Sequence, residues 1–165
     1  MPGLSVQVIF QDVRNVEADA LVVGFFKDVR PLKGLAGRLD WLLCGSLSRL
    51  LLENRLRGSL GDVALLTAQG KVPAPKIFLV GFGARSEFSL AALRTAAGTA
   101  AASAAGAGVG RAAMEFLQPP GVADDDCLPV IREGLAEGAG GRSLAVSLLA
   151  PDAAAYERLS RLVKA

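Results

Sequence analysis

Apolar residues along the chain fall into short strand-like runs separated by longer helical stripes. Ser5–Phe10 alternates, with Val6, Val8 and Phe10 at every second position, and predicts a first strand. After a polar connection from Asp12 to Glu17, Ala20–Phe26 (ALVVGFF) is apolar almost throughout, the pattern of a strand covered on both faces. Leucines at 39, 42, 43, 47, 50 and 51 then recur at helical spacing. They predict one helix over Leu39–Leu52, with Arg49 and Glu53 on its solvated flank. Gly58 and Gly61 close that region. Asp62–Thr67 predicts a third strand and Gln69–Pro75 a turn, and Lys76–Val80 (KIFLV) is a strongly apolar fourth strand that runs into Gly81-Phe82-Gly83.

The second half repeats the alternation. Ser86 or Ser89 caps a helix that carries Leu90, Leu93 and the alanine run from Ala91 to Gly106. Arg111–Leu117 predicts a strand ended by Pro119-Pro120, and Cys127–Glu137 a helix whose start Pro129 confines. Ser143–Leu149 is a further strand. Asp152 caps a final helix with Tyr156, Leu159 and Val163 on one side. The order ββα ββα βα βα predicts an α/β fold, with a mixed, mostly parallel sheet and helices on both faces. No repeat or long linker interrupts it, so residues 1–165 are read as a single domain.

Composition narrows the class. Of 165 residues, 52% are apolar and 21% charged, enough apolar surface for a packed core and too much for a disordered chain. A net charge of +2, with no block of like charges, argues against DNA as a partner. Arg30, Lys33, Arg38, Arg55 and Arg57 are scattered and lack interleaved aromatics, unlike a single-strand nucleic-acid surface. Two cysteines and no basic, apolar leader place the protein in a reducing, cytoplasmic compartment, and Cys44, set among leucines, is expected to be a buried, inert thiol. The Ala/Gly tract from Ala91 to Gly110 is as long as a membrane span. Its small residues supply little transfer energy and Arg94 interrupts it, so no membrane contact is expected.

Candidate chemistry is sparse. The chain contains no histidine, which removes Ser-His-Asp and Cys-His catalysis and imidazole metal ligation. Asp124-Asp125-Asp126 lacks the spacing of a calcium loop and is expected to be a solvated loop that supplies a helix N-cap. Gly98, Ala102 and Gly106 form a small-residue row suited to close packing within the fold. Two loops could admit a ligand. In the first, Pro31, Gly34 and Gly37 follow the second strand; in the second, Gly81-Phe82-Gly83 follows the fourth. Gly34, Gly37, Gly81 and Gly83 would allow backbone approach to a phosphate, and Lys33 or Arg85 would supply charge. The GxGxxG pattern is incomplete, with Ser86 in its third place, so a plain tight turn stands beside that reading. No catalytic residue, metal ligand or cofactor is assigned.

In order and spacing, VEADALVVGFF, GLAGRLDWLL, GDVALLTAQGKVPAPKIFLVGFG and the alanine-rich helix resemble the N-terminal domain of the M17 leucyl aminopeptidases. The resemblance runs from about Val6 to the final helix and implies a three-layer, macro-domain-like α/β fold. In that family the two-metal peptidase site belongs to a separate C-terminal domain. Its signature, Asn-Thr-Asp-Ala-Glu-Gly-Arg, is absent here, so the resemblance implies a non-enzymatic chain. The expected function is a non-catalytic interaction or regulatory module that binds a protein partner or self-associates. Met1 and the helical ending AAAYERLSRLVKA are read as a stand-alone protein rather than a cut from a longer enzyme.

The alternative is a module that binds a nucleotide or ADP-ribose, as macro domains do. The binding form of that fold resembles DAIVNAAN followed by a glycine-rich loop. Here Asp19–Val23 matches its beginning, but Gly24-Phe25-Phe26 stands where the asparagines would be.

Overall fold

A computed structural model describes residues 3–115 and 117–164. Its strands are β1 (Leu4–Ile9), β2 (Ala20–Phe25), β3 (Val63–Thr67), β4 (Lys76–Gly81), β5 (Arg111–Glu115) and β6 (Leu144–Leu149). They form one sheet in the order β1-β6-β5-β2-β4-β3. Every neighbouring pair is parallel except β3 and β4, where Leu65 faces Phe78 in antiparallel register. The helices are α1 (Gly34–Leu42), α2 (Ser46–Leu52), α3 (Leu90–Gly106), α4 (Asp124–Ala139) and α5 (Ala153–Lys164).

The period of two in β2 divides the core. Ala20 and Val22 face a layer of α3, α4 and α5, together with Phe78, Val80, Met114, Ile131, Leu135 and Leu159. Leu21, Val23 and Phe25 face the other layer, built on Leu39 of α1, Leu43 at its C-terminal cap and Leu47 of α2. The result is the three-layer, mostly parallel architecture expected from the sequence.

Several local expectations are corrected. The leucine helix is two helices that begin earlier, at Gly34, so the loop expected around Gly34 and Gly37 is the first turn of α1. The break falls at Cys44 and Gly45, both with positive φ (54° and 82°). There the Asp40 carboxylate leaves α1 to accept the Ser48 N–H at 3.0 Å, occupying the N-terminus of α2. Cys44 is exposed at this corner, not buried. Arg49 and Glu53 do lie on the solvated side, where Glu53 pairs with Arg55. Phe10 lies past the end of β1 and is exposed.

The acidic triplet is the first turn of α4 rather than a capping loop, and Pro129 lies inside that helix. Asp124 is buried and accepts from Gln118 Nε2 at 2.8 Å and Arg158 Nε at 2.9 Å, which ties α4 to α5. Ser89 caps α3 and Asp152 caps α5, through bonds from Ala92 N and Ala155 N. β5 ends at Glu115. Phe116, within the strand expected to Leu117, lies outside the described residues, as do Met1 and Ala165 at the chain ends.

Close packing of α3 is real but uses only Gly98 of the expected row. Ala102 and Gly106 are exposed, whereas Gly98 meets Gly134 and Gly138 of α4. Arg94 of α3 bonds Glu133 and Glu137 of α4 along the rim of that contact.

Candidate functional site

The five parallel strands all end on one edge of the sheet, where loops are free to form a cleft. On that edge β2 leads into the loop before α1, and β5 ends at Glu115, beside the first turn of α1. The N-cap residue of α1, Lys33, has a side chain that makes no capping bond. The strand supplies the cap instead: Leu35 N–H donates to Glu115 Oε2 at 2.9 Å. Gly34 takes a positive φ of 58°, and a Cβ there would lie 3.2 Å from the same oxygen. Burial pushes the Glu115 carboxyl above its usual range, and the Leu35 bond opposes that only in part.

Three hollows meet at Glu115. An inner cavity of about 40 Å³ runs between β2, β5 and α3, lined by Val22, Gly24, Phe82, Ala97, Met114 and Glu115 among others. An outer one of about 130 Å³ adjoins it through Gly24, Glu115 and Leu117 and opens past Phe26, Lys33 and Gly34. On the far side of α1, a shallow hollow is edged by Gln11, Asp12, Arg38 and Pro151. There Asp12 is held down at about 2, chiefly by the side-chain hydrogen bond from Arg14, and Arg38 also pairs with it.

Phe82 shapes the inner cavity. Its ring covers Gly24 so closely that a Cβ at residue 24 has no room. The ring is itself stacked on Phe88 at 5.3 Å and tilted against Phe26 at 5.5 Å.

Of the six residues singled out in the sequence, Lys33 and Gly34 line the outer cavity. Gly37 faces a different groove with Trp41 and Cys44, and a Cβ there would run into the Leu32 carbonyl. A Cβ on Gly81 would run into the backbone of Gly58 and Ser59. The N–H groups of Gly81, Phe82 and Gly83 donate to the carbonyls of Asp62, Phe25 and Gly58 at 2.8 to 2.9 Å. Arg85 N–H donates to the Asp28 carboxylate at 3.0 Å. The turn after β4 therefore directs its donors into the fold, and the structure does not bring it to Lys33 and Gly34. Glu115 was missed by sequence reasoning. Its signal was a lone carboxylate at the carboxyl end of an otherwise apolar strand, AAME.

No three acidic, cysteine or histidine side chains among the described residues gather as a metal site would require. Among these residues, too, no helix is long and apolar enough to cross a membrane.

Residues 22–143 match the model of the cytosol aminopeptidase family, N-terminal domain. Similar curated proteins include a probable cytosol aminopeptidase of Cyanothece sp., 38% identical over 86 residues that cover 52% of this chain and 17% of the relative. A second, from Geobacter sulfurreducens, is 38% identical over 104 residues, covering 62% of this chain and 21% of the relative. The chain thus spans about a fifth of the length of these relatives. A solved tomato leucine aminopeptidase variant superimposes with TM-score 0.75 at 20% identity, over 99% of this chain and 36% of that one. A Trypanosoma brucei macrodomain in complex with ADP-ribose gives 0.68 at 16% identity, over 96% and 68%. The DarG macrodomain of Mycobacterium tuberculosis gives 0.68 at 13%, over 89% and 99%. These likenesses establish a macrodomain-like fold.

Proposed function

Because the chain belongs to the cytosol aminopeptidase family through its N-terminal domain, we propose that it is a non-catalytic association module. Its business is protein contact, either with another copy or with the catalytic part of a cytosol aminopeptidase. The observation that carries this reading is the edge strand β3. Among the described residues its outer edge has no neighbour in the sheet, and Val63 and Leu65, the latter 52% exposed, project from the strand with no charge between them. Trp41 and Leu52, about four-fifths exposed, add apolar surface on α1 and α2. A cytoplasmic setting accords with this reading, since the relatives carry the name cytosol aminopeptidase.

Light scattering across a concentration series tests it, together with co-elution with a cytosol aminopeptidase catalytic domain. Association that Leu65→Lys weakens is the expected result. A chain that stays monomeric and ignores the catalytic domain, or one that releases leucine from a small substrate in the presence of divalent metal, overturns it.

A second reading, binding of ADP-ribose or another nucleotide, is favoured by the likeness to a macrodomain solved with ADP-ribose and by a cleft at the carboxyl edge of the sheet. Lys33 and Gly34 would meet the phosphates. A thermal-shift titration with ADP-ribose, ADP and AMP decides it. Ligand at about one hundred times its Kd stabilises by about 2.7 kcal/mol, which is several degrees for a domain of this size.

A further inference from the structure

We propose that the cleft converging on Glu115 is a binding site for a primary ammonium carried on a short apolar chain. The inner cavity carries one charged side chain, the Glu115 carboxylate, and Lys33 lines only the outer one. Glu115 Oε2 is held by Leu35 N–H, and among the described residues that is the only hydrogen bond of the carboxylate. Among the described residues Oε1 has no hydrogen-bond partner, and Glu115 lines both the inner and the outer cavity. The walls around it are otherwise alkyl and aromatic: Val22, Phe82, Ala97, Met114, Leu117 and Ile131.

The protein's own cations leave this carboxylate unneutralised. Lys33, at the mouth of the outer cavity, makes no ion pair with Glu115, and Arg38, across α1, is taken by Asp12. Those are the charged groups that face Glu115 from the elements around it. A half-desolvated carboxylate gains most from a partner that brings positive charge and N–H donors while keeping water out. The Glu115 carboxylate also occupies the N-terminus of α1, the place an anionic ligand would need. An ammonium at Glu115 and a phosphate at Lys33 and Gly34 are therefore competing occupants of one cleft, and the amine and nucleotide titrations separate them. Size restricts the apolar part in the inner cavity, where about 40 Å³ suits a chain of a few carbons.

Two sources share this chemistry, a free alkylamine and the amino terminus of a peptide that begins with an apolar residue. The test is a titration of the full ¹⁵N-labelled chain at neutral pH with butylamine, with a leucine-initiated dipeptide amide and with butanol, followed at the amides of Gly24, Gly34 and Leu35. The expected result is a saturable shift of those amides with at least one of the amines and none with butanol. Whichever amine binds more tightly identifies the source. Glu115→Gln, which keeps an oxygen for Leu35 N–H, should weaken amine binding about tenfold or more, the loss expected for a charged hydrogen bond. No saturable shift with either amine overturns the proposal, as does equal response to butanol or undiminished affinity in Glu115→Gln. These arms read the wild-type cleft directly, independently of whether the chain associates with a partner.

Discussion

The ring of Phe82 fills the space that any side chain at Gly24 would need, its outer carbons covering the glycine Cα on the cleft side of β2. The ring cannot simply swing away, because Phe26 and Phe88 pack against it. Gly24→Ala therefore forces the aromatic cluster to shift within a packed layer, at a cost of about 1–3 kcal/mol. Denaturant unfolding measures the loss, and the aromatic proton shifts of Phe82 should move with it.

Glu115 makes stability depend on pH in a defined sense. Burial raises its folded-state pKa above the unfolded value, with the Leu35 hydrogen bond opposing. The folded chain thus holds the proton more tightly than the unfolded one, and the ionised group disfavours folding. That penalty is absent below the unfolded glutamate range. It grows as pH rises through the interval between the unfolded and folded pKa values, and is complete above it. Glu115→Gln removes the titration. The variant should melt higher than the parent at neutral pH, and the difference should shrink or reverse in acid, where both side chains are neutral. A difference independent of pH would show that the charge on Glu115 is not its source.

The α3–α4 contact rests on missing side chains. A Cβ on Gly138 would run into the Gly98 carbonyl, and one on Gly134 into the Arg94 carbonyl. Alanine is the better helix former by about 1 kcal/mol. A clash with backbone cannot be relieved by a rotamer change, so the overpacking cost wins. Gly138→Ala should destabilise the protein by about 1–2 kcal/mol net, as measured by denaturant unfolding. Gly106→Ala, at a position with open space around it, should be neutral or stabilising.

The layered architecture was legible because β2 and β4 are near-continuous apolar runs and α3, after β4, is long and capped by Ser89. Periodicity carried that information. It could not divide Leu39–Leu52, since the leucines continue in phase through Cys44 and Gly45, and the break depends on Asp40 reaching across to Ser48. Nor could it pair Gly98 with Gly138, forty residues apart in sequence, because a row of small residues does not say which helix it meets. The candidate site was legible only at Lys33 and Gly34. Glycines 81 and 83 suggested a ligand loop, whereas their amides close onto neighbouring backbone. Glu115 reaches α1 only through the β2–β5 pairing, a tertiary contact between segments eighty residues apart.

The two thiols should behave oppositely. Cys127 is fully buried in the first turns of α4, and burial, reinforced by the charges of Asp124 and Asp126, pushes its thiol up to about 11. At neutral pH it is almost entirely protonated as well as inaccessible, and the thiolate is the reactive form. Cys44 is exposed at the corner between α1 and α2, where the backbone has a positive φ. A disulfide reagent should label one thiol per native chain quickly, and mass mapping should place it at Cys44. The second should react only after denaturation, at a rate set by opening of the α3–α4 layer. Gly138→Ala, which loosens that layer, should therefore speed the slow phase and leave the fast one unchanged. Two rapid equivalents in the native chain would contradict the burial of Cys127. A silent Cys44 would mean that another surface covers the α1–α2 corner, and a dilution series would then tell whether that surface is a second copy.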